Sequence, residues 1–189
     1  MIRRVVLRPN LGSVCLLFWT LAAAAQPLAL PNRFDNRPYR FSVSYPSGWW
    51  PEILSHVFYI ESFPPSRAVR AARIPPGQAG IQVVTASQAG TRHRAAPDSI
   101  DEWAARLQVG NKLESRGPFS VADDHRTLTG LEVVSISEED PPREQIEWFF
   151  TLRGRIFMAT VFYWKGDSRA AEWRDTLRQV ALSIKSTSK

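Results

Sequence analysis

His56, His93 and His125 are the side chains of this 189-residue chain best suited to move a proton or bind a metal near neutral pH. They stand far apart, and none belongs to a close pair such as the HExxH of zinc enzymes, so a shared site would have to be assembled by the fold. His56 opens an apolar run, His93 lies between Arg92 and Arg94, and His125 follows Asp123 and Asp124 in a turn-like stretch. That placement predicts structural or solvated histidines. Two carboxylate runs, Glu138-Glu139-Asp140 and Asp123-Asp124, lack the glycine and the alternating ligands of a calcium loop, and are expected as solvated turns. Ser47 precedes Gly48 without the Gly-x-Ser-x-Gly context of a nucleophile elbow, and no Gly-rich phosphate loop follows any strand candidate. The sequence therefore predicts no catalytic residue, no metal ligand and no cofactor.

Two features could serve binding instead. Arg67, Arg70 and Arg73 recur every three residues, which on a helix would form a ridge able to meet an acidic partner or phosphate groups. Pro64-Pro65 and Pro75-Pro76 flank them and discourage a long helix, so a solvated loop competes with that reading. In Trp49-Trp50-Pro51 one indole is expected in the core, and alternation then turns Trp50 outward, where exposed tryptophan favours recognition. Trp50, Arg67, Arg70 and Arg73 are the candidate partner-binding residues.

These side chains need elements to hold them. Tyr39 to Tyr45 alternates bulky apolar and polar residues and predicts a strand with Tyr39, Phe41, Val43 and Tyr45 on one face, ended by a turn at Pro46-Ser47-Gly48. His56 to Ile60 and Gly80 to Ala86 are further strand candidates, with a long surface loop from Phe63 to Gly77 between them. Asp98 or Ser99 is placed to cap a helix beginning at Ile100, with Ile100, Trp103, Ala104 and Leu107 on one face and Gly110 closing it. After a polar link, Leu131 to Ser137, Gln145 to Leu152 and Ile156 to Trp164 read as strands. So short a link as Arg153-Gly154-Arg155 makes the last two an antiparallel hairpin. Ser168 to Ile184 predicts a closing helix with Ala171, Trp173, Leu177, Val180, Ala181 and Ile184 toward the sheet.

The amino terminus reads as an export signal. Arg3, Arg4 and Arg8 precede a run from Leu11 to Leu21 without charge, and Ala23-x-Ala25 offers small side chains for cleavage after Ala25. The run is short of the ~20 apolar residues that span a bilayer, and Cys15 lies within it behind Val14, which disfavours a lipid anchor. Removing residues 1 to 25 takes away the only cysteine, so the remaining chain must be stabilised by packing, without a disulfide or thiolate site. It also leaves 21 Lys and Arg against 18 Asp and Glu, a charge of +3 too small to argue for nucleic acid or an anionic membrane. Gln26 to Pro38 is expected as an extended lead-in, and 39 to 186 as one domain.

The phrase Phe41-Ser42-Val43-Ser44-Tyr45-Pro46-Ser47-Gly48-Trp49, followed by antiparallel strands, a middle helix and a closing helix with Trp173 near its start, resembles the PsbP-like family. That family shares its α/β/α sandwich with the Mog1 proteins. The resemblance implies an α+β fold in which an antiparallel sheet is flanked by helices and the Trp49 indole plugs the core; it implies no catalytic residues. Its plant members support photosystem II, yet nothing in these residues indicates that partner. The expectation is thus an exported, non-enzymatic domain, periplasmic or secreted, binding a protein or envelope component. A hydrolase with dispersed site residues and a carrier of a small apolar ligand are the alternatives.

Overall fold

The computed structural model describes residues 28–54, 57–65, 74–90, 95–107 and 111–186. The leader, His56, His93, Gly110 and the three arginines Arg67, Arg70 and Arg73 lie outside the described residues.

Among the described residues, ten strands form two antiparallel sheets. Strands β1 (Asn32–Asn36), β2 (Phe41–Tyr45) and β10 (Lys185–Ser186) make a small one in the order β1-β2-β10. Strands β3 (Trp50–Leu54), β4 (Val57–Glu61), β5 (Ala79–Thr85), β6 (Asn111–Ala122), β7 (Thr127–Ser137), β8 (Arg143–Leu152) and β9 (Arg155–Trp164) make the large one, in the order β3-β4-β5-β9-β8-β7-β6. The helices are α1 (Ala86–Ala89), α2 (Ile100–Leu107) and α3 (Ala170–Ser183). The fold is α+β, as the element pattern predicts.

Period-two side-chain alternation divides the large sheet into two faces. The inner face sends Phe58, Ile60, Ile81, Val83, Ile146, Trp148, Phe150, Phe157, Ala159 and Val161 into the main core. Helix α3 and the small sheet cover it. Trp173, Leu177, Val180 and Ala181 of α3 are buried there, whereas Ala171, expected on that side, is exposed. Trp49 meets Trp173 edge to face at 6.0 Å, and the Arg169 guanidinium lies 4.0 Å from the centre of the Trp173 ring. Burying Trp173 stabilises the fold by on the order of 3 kcal/mol. The helix is further held where Glu132 accepts hydrogen bonds from Trp148 Nε1 (2.7 Å) and Arg174 Nη1 (2.6 Å).

Helix α2 packs on one end of the outer face, where Trp103 and Ala104 join Val84, Val133, Phe149 and Met158. Its start is set by Ser99, whose Oγ accepts from the Glu102 amide (3.1 Å) while Glu102 Oε2 accepts from the Asp98 amide (2.8 Å), a reciprocal cap.

Four local outcomes differ from the sequence reading. Asn32–Asn36, expected within an extended lead-in outside the domain's elements, is strand β1: it pairs residue for residue with β2, and Phe34 stacks on Phe58 at 4.0 Å. The polar link before Leu131 is the twelve-residue strand β6, and Trp50–Leu54 is strand β3. Both are edges of the large sheet, where weak burial removes the apolar alternation that marks inner strands. Tyr39 falls in the turn before β2.

The β8–β9 hairpin closes through Arg153 and Gly154, both at positive φ (50° and 71°), the pairing of left-handed residues whose twist matches that of flanking strands. Phe63 and Ile74, near the two ends of the expected surface loop, are buried.

Candidate functional site

Because β3, β4, β5, β9 and β8 are in continuous register, side chains at paired positions share a face. On the outer face one row runs Glu52, Tyr59, Gln82, Thr160, Glu147 and Val133. The next runs Trp50, Glu61, Gly80, Phe162, Gln145 and Ser135. Helix α2 covers the neighbouring apolar row of Val84, Met158 and Phe149, and among the described residues no helix lies over these two.

A groove of about 270 Å³ opens on this part of the face, between strands β4, β5, β9 and β8 and the end of α2 at Leu107. Its walls include Tyr59, Gln82, Gln145, Glu147, Thr160 and Phe162. Gly80 shapes one wall. A Cβ there would sit 2.3 Å from the Phe162 ring, so the missing side chain lets that ring lie across β5 and meet Tyr59 edge to face at 6.5 Å.

The polar groups of the groove are not satisfied in the ordinary way. Glu147 is 6% exposed, and no hydrogen bond or ion pair to its carboxyl is found among the described residues. Burial alone raises its pKa from 4.5 to about 7. Thr160, its cross-strand neighbour, is 3% exposed and its Oγ1 has no partner; Ser135 Oγ, one row away, is equally orphaned. Buried polar atoms of native proteins are nearly always paired, so Thr160 Oγ1, Ser135 Oγ and Arg143 Nε, all buried and unpaired on one face with a bare carboxyl, call for an explanation. The charges around them lean negative. Glu61 has its pKa raised by burial, and Tyr59 has its own raised by burial and by Glu61. Arg143, at the far end of the groove, is bound to Glu139 at 2.6 Å.

Trp50 stands at the rim of this face, 39% exposed, on edge strand β3. Trp49 beside it is half-buried against Trp173. The structure thus sets the two indoles in opposite environments. Arg67, Arg70 and Arg73 cannot be placed against this face, since they lie outside the described residues. His125 is exposed in the β6–β7 turn, where Asp123 Oδ1 accepts from the amides of His125 (2.8 Å) and Arg126 (2.9 Å) and is held below the usual carboxylate range mainly by the His125 amide. Asp123 serves that turn. Glu138, Glu139 and Asp140 are exposed, with Glu139 engaged by Arg143. Among the described residues no group of three His, Cys, Asp or Glu side chains could hold a metal ion, and no helix is long and apolar enough to cross a membrane.

Sequence reasoning missed Glu147. The signal was there: a lone carboxylate inside Ile146-Glu147-Trp148-Phe149-Phe150, a run too apolar to leave it in water.

No protein-family model matches the sequence, and no curated protein does. Among solved structures, the chain is similar to a protein from Bacteroides thetaiotaomicron (16% identity, TM-score 0.44), covering 85% of this chain and 50% of that one, so it spans about half of that protein's length. It is similar to the cyanobacterial PsbP of Synechocystis sp. PCC 6803 at 12% identity and a TM-score of 0.46, over 82% of this chain and 91% of that one. It is also similar to a protein of unknown function from Pseudomonas aeruginosa, at 14% identity and a TM-score of 0.41, over 72% of this chain and 88% of that one. A PsbP structure is therefore among the neighbours, and no family is shown.

Proposed function

We propose that this chain is an exported, non-enzymatic binding domain that docks a protein or other envelope component on the part of its outer sheet face not covered by α2. One observation carries the reading: that surface combines Trp50, Tyr59 and Phe162 with a buried Glu147 that has no partner among the described residues. Aromatic side chains beside desolvated polar groups are the usual composition of a binding hot spot. Among its described residues the face carries no nucleophile hydrogen-bonded to a base, which is the arrangement that acyl or phosphoryl transfer requires. Export rests on the charged, apolar and small-residue order of residues 1 to 25.

The test is expression with the native leader, followed by affinity capture from envelope and culture-fluid fractions. The expected result is a mature chain beginning at Gln26 that captures a specific partner, with Trp50→Ala reducing capture at least about tenfold, the scale of a hot-spot tryptophan. Folded mature protein that captures nothing, or captures equally well as Trp50→Ala, would sink the docking face.

A further inference from the structure

We propose that the groove between Tyr59, Phe162 and Glu147 receives an ammonium group on a short hydrocarbon chain, from either a free primary amine or a lysine side chain of a docked protein. This deepens the reading of the outer face as a binding face and rests on it. An ammonium has three N–H donors and one positive charge. The groove presents the acceptors for both: Glu147 and Thr160 are each more than nine-tenths buried and are paired across β8 and β9, Thr160 Oγ1 is buried without a partner, and no hydrogen bond to the Glu147 carboxyl is found among the described residues. The rings of Tyr59 and Phe162 add faces that attract a cation and cover its methylenes.

The remaining charges point the same way. Glu61 shares the face; Arg143 is bound to Glu139 through Nη2, and Arg116 on β6 is bound to Asp101 on α2. Among the described residues Arg143 is the one cation lining the groove; Glu139 holds its Nη2 and its buried Nε is left without a partner, so an anion would meet a single spare donor at the far end and would have to pass the buried Glu147 carboxyl. A volume of about 270 Å³ falls just below the ~300 to 1,000 Å³ of sites for drug-sized molecules, which suits a head group of a few heavy atoms.

Empty, the site holds Glu147 as the neutral acid up to about pH 7, since burial penalises its charged form. A bound ammonium supplies the missing counter-charge, so binding strengthens as pH rises through about 7. It weakens again only as the amine loses its own proton, near ~10.4 for a lysine-like group.

The experiment is an amide-resolved NMR titration of the mature chain at pH 8 with n-butylammonium and, as neutral control, n-butanol. A blocked Gly-Gly-Lys-Gly-Gly peptide and its Nε-acetylated form are titrated in parallel. Saturable shifts at Gln82, Thr160 and Phe162 are expected with the ammonium, with butanol and Glu147→Gln at least about tenfold weaker, the loss expected for a charged hydrogen bond. Thr160→Val should weaken binding several-fold, and affinity should drop between pH 8 and pH 6 in the wild type but not in Glu147→Gln. Tighter binding of the lysine peptide than of butylammonium assigns the group to a protein partner, and the reverse assigns it to a free amine. Absence of shifts at those three residues with every amine, or equal binding by Glu147→Gln, overturns the assignment. Partner capture lost in Trp50→Ala yet unchanged in Glu147→Gln, with no amine bound, would overturn it and leave the docking face standing. Amine binding without any captured partner would do the opposite.

Discussion

Glu147 occupies a β8 position flanked by Ile146, Trp148, Phe149 and Phe150, and its cross-strand neighbour Thr160 gives it no hydrogen bond. The free chain carries it at the ordinary 4.5, the folded chain at about 7. Between those values the folded state holds a proton that the unfolded state has released. Stability therefore falls as pH rises through that window and levels off above it. The difference corresponds to on the order of 3 kcal/mol. Glu147→Gln cannot ionise, so it should lose this slope and be more stable than the wild type by up to that amount at pH 8, with the two nearly equal at pH 4.5. Urea unfolding at the two pH values measures it. A Glu147→Gln chain less stable than wild type at pH 8 would show that the carboxylate has a partner after all. A group that costs the free domain this much is retained more naturally for what it binds than for what it holds together.

Between elements, close approach is what fixes the sheet. At Gly130 on β7 an added Cβ would lie 1.9 Å from the carbonyl oxygen of Phe149 and 2.9 Å from the Phe119 ring, which stacks on Trp148 at 4.7 Å. Backbone cannot yield as a side chain can, so Gly130→Ala should cost about 2 kcal/mol or more. Gly117, on neighbouring β6, would meet nothing within 4 Å, and Gly117→Ala should be neutral or stabilising by a few tenths of a kcal/mol. Equal urea midpoints for the two variants would contradict this account of the β6–β7–β8 contact. The same pair of strands shows how much of the fold was legible. β7 and β8 alternate or bury apolar side chains and were read from the sequence, as were the hairpin at Arg153-Gly154, helix α2 with a cap at Asp98 or Ser99, of which the structure uses Ser99, and α3 through Trp173 and Leu177. Strand β6 was not, because an edge strand with alternate residues in water carries little apolar period. Nor was the groove, since it is made by register: only pairing Gln82 with Thr160 and Thr160 with Glu147 sets those side chains in one row. Trp50 was legible from its alternation with Trp49.

At the scale of the whole molecule, both ends of the described chain are bound into one small sheet that lies on the inner face beside α3. Strand β2 takes β1 on one side and β10 on the other, Ser183 Oγ accepts from the Ser44 amide at 2.8 Å, and Arg126 donates to the carbonyls of Ala181 (3.1 Å) and Ile184 (2.6 Å) at the end of α3. With no cysteine beyond Cys15, this noncovalent closure does the work that a disulfide does in many small exported domains. The domain therefore begins at β1 and not at Tyr39. Phe34 lies flat on Phe58, which is fully buried, and Asn32 Nδ2 donates to the Pro46 carbonyl at 3.1 Å. Deleting β1 removes the Phe34 ring, bares Phe58 and leaves one edge of β2 unpaired. Losing the burial and stacking of one phenylalanine amounts to about 3 kcal/mol. A chain starting at Leu28 should match one starting at Gln26 in urea, whereas one starting at Pro38 should unfold at a midpoint lower by at least that energy and show weaker amide protection in β2 and β4. If the Pro38 chain unfolds at the same midpoint, β1 is an appendage and the small sheet is not what closes the core. If it fails to fold, a Phe34→Ala chain starting at Gln26 reads the same contact, with an expected loss of about 2 to 4 kcal/mol, and an unchanged midpoint there would contradict the role assigned to β1.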